Sequence, residues 1–267
     1  MKNKRIAFLG GGNMAEAIIA GLLGGGVSME QNVVAADVSE ARRTLLSDKY
    51  GIETTADNAA AVRGADVVVL AVKPQQAAEA LASVKAALAK TQLLVSICAG
   101  LPTAAVEAQV PARVARAMPN LPALVRRGVS AICGGSRATA EDLDLTEKLF
   151  AATGAVVRLP ENKMNETTAL SGSGPGYVFA FMETLEATGI AMGIDASTAR
   201  KMAVETVRGA AELAAETGED PAELRRRVSS KGGTTLAGLA AMEAHGFSAA
   251  VAAGLKAARD RAAELAR

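Results

Sequence analysis

Ile6-Ala7-Phe8-Leu9-Gly10-Gly11-Gly12-Asn13-Met14-Ala15 is an apolar run that stops at three glycines and restarts as a helix. The spacing is G-x-G-x-x-A between a short strand and a helix. Gly10 permits the tight turn, Gly12 lacks the Cβ that would block a pyrophosphate, and Ala15 lets helix and strand pack closely. The helix N-terminus then offers free N–H groups to phosphate. Working outward, a second apolar run, Val33-Val34-Ala35-Ala36, ends at Asp37. That is roughly 20 residues past the glycines, where an acidic side chain reads the adenosine ribose. Asp37 would accept from a ribose 2′-OH and favours NADH. Ser39, Arg42 and Arg43 follow closely enough to hold the 2′-phosphate of NADPH instead, although the two arginines also suit a solvated helix face. The cofactor is expected to be NADPH or NADH, with the preference open.

The alternation of short β-rich runs and helix-length segments continues to about residue 158, as a parallel sheet requires. Strands are predicted at Arg5–Leu9, Val33–Asp37, Asp66–Val72, Gln92–Ile97, Arg113–Ala117, Val129–Cys133 and Ala155–Arg158. The run from Asp66 is almost wholly apolar, which fits a strand buried on both faces. Helices are predicted at Met14–Leu23, Ser39–Lys49, Gln75–Lys90 and Thr139–Thr153. Ligands of open parallel sheets sit beyond the carboxyl ends of the strands. Ala71-Val72-Lys73-Pro74 and Ser96-Ile97-Cys98-Ala99-Gly100 end two such strands and should face one crevice.

After Pro160 strand signals cease. Tyr177–Met192, Ala196–Glu216, Pro221–Val228, Thr234–Ala244 and Ser248–Ala266 all read as helix, with Gly218 and Gly246 as stops. The expected fold is α/β: a Rossmann-like dinucleotide-binding domain over 1–160, then an all-helical dimerisation and substrate domain over 161–267. Tyr177-Val178-Phe179-Ala180-Phe181-Met182, continuing to Leu185, is apolar on more than one face. A helix of that kind is covered on several sides, either by a second copy of the chain or by its own neighbours.

Composition narrows the function. Lys+Arg 29 against Asp+Glu 28, with 3% aromatic residues, gives neither the basic field nor the stacking rings of a nucleic-acid surface. Cys98 and Cys133 suggest neither a disulfide framework nor a zinc site, and no metal is expected. Nothing reaches the length of a membrane span, and the apolar stretch after Lys2, Lys4 and Arg5 is too short for a signal peptide. A cytoplasmic protein is the economical reading.

Two glycine-rich segments in the helical half carry more chemistry. Ser171-Gly172-Ser173-Gly174-Pro175-Gly176 is denser in glycine and serine than a helix break needs, and can bring backbone close to a ligand. Ser229-Ser230-Lys231-Gly232-Gly233-Thr234-Thr235 places glycines and hydroxyls before a helix. Its N–H groups and threonine hydroxyls make a cradle suited to a small carboxylate, while capping alone would also explain Thr234 or Thr235.

Gly10–Ala15, Ala71–Pro74, Met118-Pro119-Asn120, Ser171–Tyr177 and Ser229–Thr235 stand in the order found in pyrroline-5-carboxylate reductases, which the chain resembles over essentially its whole length. The resemblance implies reduction of 1-pyrroline-5-carboxylate to L-proline with NAD(P)H, the last step of proline biosynthesis. It implies cofactor contacts at Gly10, Gly12, Asn13, Met14, Asn58, Ala71, Val72, Lys73 and Pro74, to which the reading above adds Asp37, Cys98 and Ala99. It implies that Ser230, Gly232, Gly233, Thr234 and Thr235 hold the substrate carboxylate, with Thr235 approaching the ring nitrogen as the candidate catalytic group. It also implies a homodimer, or a larger assembly of dimers. Lys231, Gly176 and Leu121 depart from the family pattern, which commonly has proline, alanine and threonine there.

A β-hydroxyacid dehydrogenase-like enzyme is the nearest rival. It would need a helix lysine as base, for which Lys163 and Lys201 are available, and it leaves Gly232–Thr235 unexplained. A non-catalytic NAD(P)-binding regulator is the rival of a different class. The only histidine, His245, precedes a helix-ending glycine and reads as a helix cap rather than an acid.

Overall fold

Strands β1 (Ile6–Leu9), β2 (Val33–Ala36), β3 (Glu53–Thr55), β4 (Val67–Leu70), β5 (Leu93–Ser96), β6 (Arg113–Met118), β7 (Gly128–Gly134) and β8 (Gly154–Arg158) form one sheet. In this computed structural model, which describes residues 1–265, their order is β3-β2-β1-β4-β5-β6-β7-β8. Strands β1 to β6 run parallel. The sheet departs from the expected parallel pattern at β7, which is antiparallel to β6 and parallel to β8. The chain reverses there through the short turn Leu121–Val125, so no crossover helix is needed between β6 and β7.

Alternate residues of each central strand feed opposite cores. Ala7, Leu9, Val68 and Leu70 pack under α3 (Asn58–Val62), α4 (Ala77–Val84) and α5 (Thr103–Glu107). Ile6, Phe8, Val67 and Val69 pack under α1 (Asn13–Gly24), α2 (Glu40–Tyr50) and α6 (Ala140–Ala151). A strand buried on both faces has no polar side to show, which is why β1, β2 and β4 are apolar throughout and β5 is apolar up to its last residue, Ser96. The chain goes out from β1 to β2 and β3, then returns to place β4 on the other side of β1. The strand order reverses there, and the crevice beyond β1 and β4 is where such sheets take a ligand.

Two compact units divide the chain: residues 1–173 with the stretch from Ala258 onward, and Gly174–Ala257. The sequence pattern changes near residue 160, but a one-turn helix, α7 (Met164–Thr167), still belongs to the sheet. Its Met164 is fully buried with Ala131 and Cys133, beside Met118. The second unit holds α8 (Gly174–Ala191), α9 (Ala196–Thr217), α10 (Pro221–Arg227), α11 (Thr234–Ala244) and the first part of α12 (Phe247–Leu265). The sequence pattern carries this last helix to Ala266, which lies outside the described residues. Only Ala199 and Ala203 are buried in this unit, and α8 buries none of its 18 residues. Among the described residues, no single helix is long and apolar enough to cross a membrane.

Candidate active site

The glycine turn forms as the spacing predicts. Gly10 sits at φ +95°, and a Cβ there would stand 2.7 Å from the Ala71 carbonyl oxygen. Helix α1 begins behind Gly12 without a side-chain cap, which leaves its first N–H groups open. A Cβ at Gly12 would meet nothing within 4 Å. It would project into a cleft of about 290 Å³ lined by Gly10, Gly12, Asp37, Asn58, Ala71, Val72 and Lys73, among others. The turn therefore fits a dinucleotide on its own geometry: open donors at a helix end, and space where a side chain would stand.

The cleft also uses residues that the motif reading passed over. Gln76, Glu79, Ala80 and Ser83 line it from α4 and the turn before it. Their i, i+3, i+4, i+7 spacing puts them on one helix face, a signal present in the sequence. Asn58 donates from Nδ2 to Ser83 Oγ at 3.1 Å, and Ser83 donates to the Ala80 carbonyl at 2.7 Å. Asp37 accepts from the Gly11 N–H at 2.7 Å and from the Ser39 N–H at 2.8 Å. Arg42 turns away, donating from Nε and Nη2 to the Gly11 carbonyl and from Nη2 to Glu16 at 2.8 Å. Burial pushes the Glu16 carboxyl up, but bonds from Arg42, Lys49 and Tyr50 outweigh it and hold the group below its ordinary value.

Of the other expected cofactor residues, Asn13 opens α1, Met14 packs against the core under that helix, and Pro74 starts a short 3₁₀ turn. Ala99 lies in the turn after β5. Cys98 is 2% exposed and is not among the residues lining the cleft; its Sγ lies 3.3 Å from the Val72 carbonyl oxygen. Burial pushes its thiol up to about 11, so it stays protonated at neutral pH.

Met118-Pro119-Asn120 and Ser171-Gly172 meet within the first unit. Asn120 donates from Nδ2 to the Ser171 carbonyl at 3.0 Å and accepts the Val129 N–H at 2.9 Å. Gly172 lies so close to Met118 that an added Cβ would stand 2.8 Å from its Cε. Thr168–Gly172 is a single π turn, a geometry concentrated at functional sites.

In the second unit, Ser230, Gly232, Gly233, Thr234 and Thr235 form a turn into α11. Gly232 adopts φ +73°, and Gly233 donates its N–H to the Ser230 carbonyl at 2.9 Å. The N-cap is Gly233, with no capping side chain, so capping does not account for Thr234 or Thr235. The first N–H groups of α11 remain open to a ligand, as those of α1 do. Lys231 is exposed and forms no ion pair among the described residues. His245 is the C-cap of α11, its Nδ1 2.8 Å from the Ala241 carbonyl oxygen. Lys163 and Lys201 are exposed surface cations.

Comparison with known proteins matches both halves. Residues 161–265 match the pyrroline-5-carboxylate reductase dimerisation family, and residues 5–100 match the NADP oxidoreductase, coenzyme F420-dependent family. The chain is 41% identical to a pyrroline-5-carboxylate reductase of Pseudomonas aeruginosa, over 100% of this chain and 98% of that one. The solved structure of a pyrroline-5-carboxylate reductase from Coxiella burnetii superposes with a TM-score of 0.94 at 34% identity, covering 100% of both chains. A pyrroline carboxylate reductase of Plasmodium falciparum, solved with NADP bound, gives 0.89 at 27% identity, again over 100% of both.

Proposed function

This chain belongs to the pyrroline-5-carboxylate reductase family, and on that premise we infer how its two open helix ends serve the reaction. The activity is reduction of 1-pyrroline-5-carboxylate to L-proline with NADPH or NADH, the last step of proline biosynthesis. The ring C=N bond takes up one hydride at carbon and one proton at nitrogen. The reduced nicotinamide supplies the hydride when bound.

The chain's residues hold and orient the reactants. The α1 N-terminus behind Gly12 binds the pyrophosphate, and Asp37 takes the adenosine ribose. Asn58 and the Ala71–Pro74 turn contact the rest of the dinucleotide, with Asn13, Met14 and Ala99 shaping the same region and the buried Cys98 supporting the turn through the Val72 carbonyl. The α11 N-terminus binds the substrate carboxylate through its open N–H groups, with Ser230, Gly232, Gly233 and the Thr234 hydroxyl around it. Thr235 donates its hydroxyl to the ring nitrogen and orients the imine. The observation that carries this reading is the bare N-cap of α11: a helix of 11 residues begins at Gly233, just before two threonines, with its positive end unclaimed.

The exposed apolar side chains of α8 support a homodimer, a larger assembly of dimers being the alternative. A cytoplasmic location suits a reaction that draws on the cell's reduced dinucleotide.

Loss of NAD(P)H absorbance on adding 1-pyrroline-5-carboxylate tests the activity. Thr235→Ala should lower kcat by about 10²-fold and leave dinucleotide affinity unchanged. Unaltered turnover in that variant removes Thr235 from the chemistry.

A further inference from the structure

We propose that the ribose end of the cleft selects NADH over NADPH, with Asp37 as the discriminating residue. The proposal rests on the dinucleotide reading above and adds a choice that family membership does not make, since one relative was solved with NADP bound.

Asp37 follows the last residue of β2 and lines the cleft between Ala36 and Val38. Both of its oxygens are already oriented, Oδ2 by the Gly11 N–H at 2.7 Å and Oδ1 by the Ser39 N–H at 2.8 Å. A carboxylate has about four acceptor sites, so two remain for the ribose hydroxyls. An acceptor of this kind takes a 2′-OH well and a phosphate badly. A 2′-phosphate has no proton to spare for it at neutral pH and brings negative charge against negative charge.

The cations that would reverse this preference are committed elsewhere. Arg42 gives Nε and Nη2 to the Gly11 carbonyl, at 2.8 and 2.5 Å, and pairs with Glu16 at 2.8 Å. Releasing it would unbrace the glycine turn and leave Glu16 with a weaker set of donors. Arg43 gives Nη1 to the Asp37 and Val38 carbonyls at 2.8 and 3.0 Å, which holds its guanidinium along the backbone. Val38, the side chain next to Asp37, is 86% exposed and uncharged. The remaining charged groups lining the cleft are Lys73 and Glu79. Lys73 follows β4, which stands two strands from β2 across β1, so its backbone starts about 10 Å from the ribose end.

Fluorescence titration of the unaltered protein with NADH and NADPH, together with kcat/KM for each, tests the idea. NADH should bind at least about tenfold more tightly, and kcat/KM should follow. Asp37→Ser should weaken NADH and strengthen NADPH, closing most of that gap. Because Asp37 also braces Gly11 and Ser39, Arg43→Ala gives a second check that leaves the carboxylate in place. It should leave the ratio of affinities unaltered. NADPH binding as tightly as NADH in the unaltered protein, or selective loss of NADPH affinity in Arg43→Ala, overturns the inference. Preferential NADH binding without pyrroline reduction would uphold it while refuting the catalytic reading.

Discussion

Gly10 and Gly12 stand two residues apart in one turn and are glycine for different reasons. Gly10 is required by the backbone: φ is +95°, and a Cβ would press on the Ala71 carbonyl oxygen at 2.7 Å. Gly12 has an ordinary φ of −66°, and a Cβ there would touch nothing. Substitution separates the two roles. Gly10→Ala should cost about 2–4 kcal/mol of folding stability, from the strained dihedral and the clash together. Gly12→Val should change stability by no more than about 1 kcal/mol. It should still weaken dinucleotide binding by more than about tenfold, because its side chain enters the ligand's space. Urea unfolding and fluorescence titration of both variants would show whether the roles divide this way. Both glycines stand out in the sequence, but their division of labour depends on the distance to Ala71, which follows another strand, β4.

At the scale of elements, α6 shows how a helix end can anchor a strand. Thr139 caps it, accepting the Asp142 N–H, while Asp142 accepts the Thr139 N–H in return. The same carboxylate receives Arg113 of β6 through two bonds, Nε at 2.7 Å and Nη2 at 2.9 Å. Burial alone would push the Asp142 carboxyl up; the guanidinium and the Thr139 donors outweigh it and hold the group below its ordinary value. The stabilisation is therefore full above the ordinary carboxyl range and is lost as pH falls through the depressed value. Asp142→Asn should cost about 2–3 kcal/mol near neutral pH and flatten the acid side of the stability profile. Thermal melts across pH would read both effects, and an unchanged acid limb would contradict the assignment.

Elements were legible in the sequence where burial wrote them. The apolar runs at β1, β2, β4 and β5 announce strands because both faces are covered. β3 was not, because Glu53-Thr54-Thr55 is a short edge strand with exposed and half-buried side chains and no apolar run. The helix predicted over Gln75–Lys90 is regular only from Ala77 to Val84. No glycine or proline marks that stop. It follows from Gln92, whose side chain takes the Ala89 N–H and donates to the Val62 and Ala65 carbonyls. The direction of β7 was hidden as well, since apolar content does not encode it. At the candidate site, the glycines and hydroxyls were legible as types, whereas the commitment of Arg42 to Gly11 and Glu16 is a tertiary fact.

Over the whole molecule, the two units differ in kind. The sheet unit encloses two cores of its own. The helical unit leaves Tyr177, Val178, Phe179, Phe181 and Ile190 between 40% and 52% exposed and buries only two alanines. That much apolar surface on one helix fits the proposed homodimer, with a largely hydrophobic contact between copies. Sedimentation should find a dimer, and the denaturation midpoint of the helical unit should rise with protein concentration. Each tenfold increase is worth about 1.4 kcal/mol of apparent stability per dimer. Phe179→Glu should shift the assembly toward monomer and lower activity, and a midpoint indifferent to concentration would count against the dimer.

An 18-residue helix with nothing buried has a further consequence, in how the enzyme is born. A newly made chain can complete its sheet from its own residues, but its second half buries only Ala199 and Ala203 by itself and would gain its interior from a sister molecule in the proposed dimer. Maturation of such a dimer would be bimolecular, quickest where many copies are translated close together. The scarcest cells would hold the largest share of unfinished enzyme, exposed to proteases for as long as the search takes.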